Sequence, residues 1–251
     1  MSRTTLARAT ALLLAIGVAG CGSDSATGTS QTDLAGALKE LSLTNITAIP
    51  IAVGGAPLPA QLLFVPSSCS YAGASQLFTC PGRTINGVNF TQSYGLYDAS
   101  GAAQQSYNQG TTAAVRAITT AKGNLSDATL GSFLIDESQD MTLSGLLTGT
   151  HIVNGTIKSI MSTVPAGGLS VNMTMTFANL VLPTDTSVPG ATPTSGSITI
   201  DDVASFAGSS SSHTVSVLTF NGTSTITLVS TTDGTTVTCT LNVATGGSSC
   251  H

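Results

Sequence analysis

Between Leu169 and Ala178 every second residue is apolar: Leu169, Val171, Met173, Met175 and Phe177 alternate with Ser170, Asn172, Thr174, Thr176 and Ala178. A repeat of two puts all five apolar side chains on one side of an extended strand and does not fit the helical period. The same alternation recurs at Val237, Cys239, Leu241 and Val243 against Thr236, Thr238, Thr240 and Asn242. Val88, Phe90, Tyr94 and Leu96 share one face of a third strand, interrupted by Gln92. Strands with one apolar side must hide it, so the sheets have to close into a barrel or pack as a sandwich. A parallel α/β fold is excluded, because its crossovers need helices that the pattern lacks.

Turn chemistry orders these strands as antiparallel neighbours. Asn86-Gly87, Asn154-Gly155 and Asn221-Gly222 each predict a two-residue hairpin turn, since Asn and Gly tolerate the positive φ of type I′. Asp233-Gly234 predicts a fourth, so His213–Phe220, Thr223–Ser230 and Thr235–Val243 form a three-strand meander. Asp98–Gly101 predicts another tight connection. Weaker strands are expected at Leu43–Val53, Thr111–Lys122, Gly131–Ile135, Met141–Thr148 and Ser197–Asp201. Leu34, Leu38 and Leu41 recur at helical spacing behind Thr32 or Asp33 as caps, which predicts one short N-terminal helix. The expected fold is an all-β, antiparallel β-sandwich or barrel of about ten to twelve strands with that single helix. Residues 32–251 are expected to form one domain, with a proline-containing loop or hinge at 183–196. No repeat of fixed period suggests a solenoid or propeller.

The first residues carry an address. Arg3 and Arg8 precede a ten-residue apolar run from Ala9 to Val18, too short to span a bilayer and suited to a secretory signal over 1–20. The run ends in Val18-Ala19-Gly20-Cys21, which resembles the lipobox of bacterial lipoproteins. That resemblance covers only these first residues and implies cleavage before Cys21, with lipid carried on its thiol. Several acyl chains would hold the protein on a membrane stably, because each buried methylene adds about 0.8 kcal/mol. Gly22 and Ser23 follow, in place of the Asp that favours inner-membrane retention in enterobacterial lipoproteins. The expected location is therefore the bacterial cell envelope, at the outer membrane. Residues 21–31 are mostly Ser, Thr, Gly and Ala and suit a flexible tether.

Assigning Cys21 to lipid leaves Cys69, Cys80, Cys239 and Cys250, an even set for an oxidising compartment. Four cysteines allow three connectivities, which spacing does not decide; the expectation is Cys69–Cys80 and Cys239–Cys250, each closing a short loop. Zinc is not expected, because the chain has no Cys-x-x-Cys pair and only His151, His213 and His251 to join the thiols.

Charge is sparse, at 8% of residues, while 72 residues are Ser or Thr. Seven basic against twelve acidic residues exclude a nucleic-acid footprint. Without Arg3 and Arg8 the mature chain carries five basic residues and a net charge of −7 in place of −5. Threonine and serine then do the solvating that charges ordinarily do. Six Asn-x-Ser/Thr sequons, including Asn45 and Asn89, are chance matches in a chain of this composition. Eleven aromatics and no Trp are few for the girdles of a membrane-spanning barrel.

Chemistry is hard to place. There is no Gly-x-Ser-x-Gly elbow and no Ser-x-x-Lys pair, and His151 and His213 both sit beside turns, where histidines are commonly exposed. Asp136, Glu137 and Asp140 cluster between two expected strands, and Asp201-Asp202 end another. Carboxylates gathered on a loop suit Ca²⁺, so the first three are weak calcium candidates; paired carboxylates would also suit glycoside hydrolysis. Thr223, Thr225 and Thr227, like Thr236, Thr238 and Thr240, form regular arrays of the kind that order water or carbohydrate, though threonine's preference for strands accounts for them equally. No catalytic residue, metal or cofactor is expected. The expected function is a lipid-anchored, non-catalytic envelope protein with a binding or structural role, contacting an envelope protein partner. The alternative is a carrier of a hydrophobic ligand or lipid, its cavity lined by Met173, Met175 and Phe177. A hydrolase ranks third.

Overall fold

The computed structural model describes residues 69–85, 87–127, 131–164, 168–182, 192–206, 210–242 and 247–251. Within them the chain forms fourteen strands. A short N-terminal group comprises β1 (Ser70–Ala72), β2 (Leu77–Thr79), β3 (Arg83–Ile85), β4 (Val88–Tyr97) and β5 (Ala103–Gln104). Long strands follow: β6 (Ala114–Asp127), β7 (Gly131–Ser144), β8 (Ile152–Val164), β9 (Leu169–Val181) and β10 (Ser195–Phe206). The chain closes with β11 (Ser212–Phe220), β12 (Thr225–Thr232), β13 (Thr235–Asn242) and β14 (Gly247–Cys250). All belong to one antiparallel sheet in the order β1-β2-β4-β6-β7-β8-β9-β10-β11-β12-β13-β14, with β3 and β5 pairing β4 off this path.

The all-β, antiparallel expectation therefore holds, and the choice between sandwich and barrel resolves into one continuous sheet. Among the described residues its ends, β1 and β14, do not pair with each other. The sheet runs unbroken past positions 183–196, because β9 and β10 pair from Ser195↔Val181 to Phe206↔Leu169. The helix expected behind Thr32, the strand Leu43–Val53, the tether 21–31 and Cys21 lie outside the described residues.

Register aligns the apolar sides of all long strands. One transverse row runs Tyr94, Ala117, Met141, Gly155, Phe177, Ile198, Leu218, Leu228, Cys239. The next contains Leu96, Val115, Leu143, Val153, Leu180, Phe220, Ile226 and Leu241, each at most 8% exposed. Together these rows make one hydrophobic core. The opposite side carries Thr142, Thr156, Thr176, Thr199, Thr227 and Thr240, none of them buried. A lipid-spanning barrel has the reverse arrangement, with its apolar band outward.

A strongly twisted sheet with this many strands curls instead of staying flat. Two glycines mark where it bends. Gly155 (φ +147°) sits at a register shift between β8 and β9, and Gly196 (φ +101°) at one between β9 and β10. A Cβ on Gly155 would lie 2.2 Å from the Asp140 carbonyl oxygen, and one on Gly196 would lie 2.3 Å from that of Asn179. Such close backbone approach is available only to glycine. Asn154-Gly155 is thus a bulge inside β8 and not the expected hairpin turn; the Asn154 side chain accepts a hydrogen bond from the Asn179 amide at 2.7 Å.

The other turn assignments divide by geometry. Asp233 and Gly234 both have positive φ, at 49° and 86°, as a type I′ hairpin between β12 and β13 requires. Asn221-Gly222 instead opens a longer loop, where the Asn221 side chain accepts from the Thr223 amide and hydroxyl. Asp98 ties its turn by accepting from the Ser100 amide and hydroxyl and from the Ala102 amide. These bonds hold its carboxyl below the usual range, the Ser100 hydroxyl contributing most.

Candidate functional site

Beyond the two apolar rows, the buried side of the sheet changes character. The third row reads Gln92, Thr119, Gln139, Ile157, Met175, Ile200, Ser216, Ser230. The fourth reads Phe90, Ala121, Glu137, Ser159, Met173, Asp202, Thr214. A broken belt of polar side chains therefore lies inside the sheet, on β4 and β6 to β8 and again on β10 to β12, with only Met175 and Met173 of β9 between. Beyond it the inner face is apolar again: Val88 and Phe133 are buried there, and Ile135, Met161, Val171, Ala204 and Phe206 are partly buried.

Several members of the belt satisfy one another. Thr119 donates to Gln139 Oε1 at 3.2 Å, and the hydroxyls of Ser216 and Ser230 lie 2.9 Å apart. Two atoms do not. Glu137 Oε1 and Gln92 Nε2 are buried and have no hydrogen-bond partner among the described residues. Leaving a buried polar atom unpaired costs about 1–3 kcal/mol, so such groups are rare and mark places to look for a role.

Glu137 is the more unusual of the two. It is 3% exposed. Its register neighbours on β6 and β8 are the small Ala121 and Ser159. Burial pushes its pKa up to about 8, opposed by a hydrogen bond from Ser159. The group is therefore mostly neutral at pH 7, an acid held inside a largely apolar surface. Asp202, three strands along the same row, is half-buried and shifted upward too, first by burial and then by Asp201, with His213 acting in the opposite direction.

The calcium reading of Asp136, Glu137 and Asp140 does not survive the fold. The three do not sit on a loop but in the middle of β7, which runs unbroken from Gly131 to Ser144 and so joins the two strands expected on either side. Adjacent strand residues point to opposite faces. Asp136 and Asp140 thus face outward while Glu137 faces inward. Asp140 receives a two-pronged ion pair from Arg116 (2.7 and 2.6 Å), which lowers its carboxyl pKa; Asp136 pairs with Lys122 at 3.0 Å. Among the described residues no group of three His, Cys, Asp or Glu converges for a metal.

The histidines are dispersed as well. His213 lies on the outer face, 2.8 Å from Asp201, with both side chains about half exposed. It shares an outer row with Asp136, four strand spacings or roughly 19 Å away. His151 precedes β8, and His251 exchanges backbone hydrogen bonds with Thr238 on β13. The cysteines pair as Cys69–Cys80 and Cys239–Cys250. Met173 and Met175 pack against the core beside the buried Phe177, as the alternation required.

Glu137 was grouped by sequence with its acidic neighbours, and Gln92 stood out only as an interruption. Parity identifies both: Phe133, Ile135, Glu137, Gln139, Met141 and Leu143 form one unbroken alternating series, in which Glu137 and Gln139 fall on the apolar side, as Gln92 does among Val88, Phe90, Tyr94 and Leu96. Compared with known proteins, the chain matches no family model, curated protein or solved structure at a significant level.

Proposed function

We propose that the protein is a lipid-anchored, non-catalytic component of the bacterial cell envelope that carries a hydrophobic ligand against the inner face of its sheet. The observation that carries this reading is the graded burial of that face. At one end it is a closed core; at the other, Val88 and Phe133 are buried, while Met161, Val171, Met173 and Phe206 remain partly exposed on the face that holds Glu137, whose Oε1 has no partner among the described residues. Flexible methionines next to a small number of unsatisfied polar atoms suit a site for a molecule with a long apolar body. The separate positions of His151, His213 and His251 favour a non-catalytic role, because general-base catalysis needs the base within hydrogen-bond reach of a nucleophile. The lipobox resemblance at Cys21, with Gly22 and Ser23 behind it, supports attachment at the outer membrane.

One variant tests both parts. Cys21→Ala should move the protein from the membrane fraction to the soluble fraction, and unchanged membrane association would refute the anchor. Native mass spectrometry of the released protein should show a co-purifying amphiphile; a ligand-free mass alone would count against the carrier.

A further inference from the structure

We propose that the inner face selects amphiphiles with a cationic amine head, with Glu137 meeting the head and Met161, Val171 and Met173 flanking the chain. This inference rests on the carrier reading above. It follows from the distribution of charge between the two sides of the sheet. The inner side holds two carboxyls in one row, Glu137 on β7 and Asp202 on β10, separated by Ser159 and Met173. Arg116 and Lys122 on β6 and Lys158 on β8 all fall on the opposite side, where the first two are occupied by Asp140 and Asp136. By register Arg83 on β3 shares the inner side, but it is exposed, and Phe90 and Ala121 separate it from Glu137 by about 14 Å of strand spacing. Tyr94 on β4 and, by register, Tyr71 on β1 also share this face; burial raises Tyr94 to about 12, so it stays neutral. Asp201 and His213, which flank Asp202, point outward.

Among the described residues the inside of the sheet thus holds two acids in one row, with no counter-charge beside the more buried one. An ammonium head placed there would donate a charge-assisted hydrogen bond to the unpartnered Glu137 Oε1. It would also favour the ionised carboxylate, so binding near neutral pH releases the proton that burial otherwise retains. A carboxylate or phosphate head would bring negative charge against a row of two acids and would have no proton to donate to Oε1.

Calorimetric titration of the full-length Cys21→Ala chain with decylamine, decan-1-ol and decanoate tests the idea. Decylamine should bind about tenfold or more tighter than decanoate, the ratio expected for one close charge contact in a partly dry site. Repeating the titration in buffers of different ionisation enthalpy should reveal proton release with the amine. In Glu137→Gln the preference should fall below about twofold, and the proton release should vanish. Asp202→Asn, which keeps Glu137, should retain most of both. Decanoate binding as tightly as decylamine, or the preference following Asp202 in place of Glu137, would overturn the selection while leaving the carrier intact. Binding of none of the three would overturn the carrier reading and this one with it.

Discussion

Glu137 makes stability depend on pH in an unusual direction. A buried carboxyl that ionises near pH 8 in the folded chain and near 4.5 when unfolded holds its proton more firmly in the native state. Between those values the native state binds more protons than the unfolded state, so stability falls as pH rises, by up to about 1.4 kcal/mol per unit. Below the lower value this penalty disappears. Glu137→Gln keeps the shape and removes the ionisation. The variant should match the parent in urea unfolding at pH 4 and exceed it by a few kcal/mol at pH 8. Equal midpoint differences at the two pH values would show that the carboxyl is not buried in solution. The sequence offers Glu137 only as a calcium candidate and Gln92 only as an interruption, because a polar residue on the apolar side of a strand is recognised only once the strand's extent is known. The acidic run hid that extent by resembling a loop.

At the level of elements, the long strands obey their two-residue period closely, and β9, β11 and β13 fall where alternation placed them. What local sequence does not carry is whether Asn-Gly turns the chain or bends it. Asn154-Gly155 has the same dipeptide chemistry as a hairpin, yet β7 and β9 pair with β8 on both sides of it, and that ladder outweighs the local preference. The positive φ that would have served a turn serves a bulge. A Cβ at Gly155 would be only 2.7 Å from Met141 Cα as well, so the strands would have to part. Gly155→Ala should therefore cost roughly 2–3 kcal/mol. Gly234, in the β12–β13 turn with open space around it, should lose only about 1–2 kcal/mol on the same change. Thermal melts of the two variants would check the ranking, and a larger loss at Gly234 would contradict the bulge geometry.

For the whole molecule, a single sheet whose described end strands do not pair with each other raises the question of its edges. Unpaired strand edges are templates for association, and proteins shorten or cover them. Here both ends are short strands held by disulfides. Cys69–Cys80 closes the β1–β2 hairpin, and Cys239–Cys250 joins directly opposed residues of β13 and β14. Each spans eleven positions, which corresponds to at most about 3 kcal/mol of restricted unfolded-state freedom. Reduction should free β14 and expose the long edge of β13. Sedimentation velocity should then show a mass that grows with concentration only in the reduced protein; unchanged behaviour would mean the bridges do not guard the edges.

The strand order has a further consequence, for kinetics. From β7 to β14 every strand pairs with the one before it in the chain. No strand has to wait for a distant partner, so each addition closes only one short loop. Sheets that depend on remote pairings fold slowly because those long closures come first. This chain can instead grow strand by strand from its N-terminal side. The order of synthesis, or of passage through a translocation pore, is then also the order of assembly.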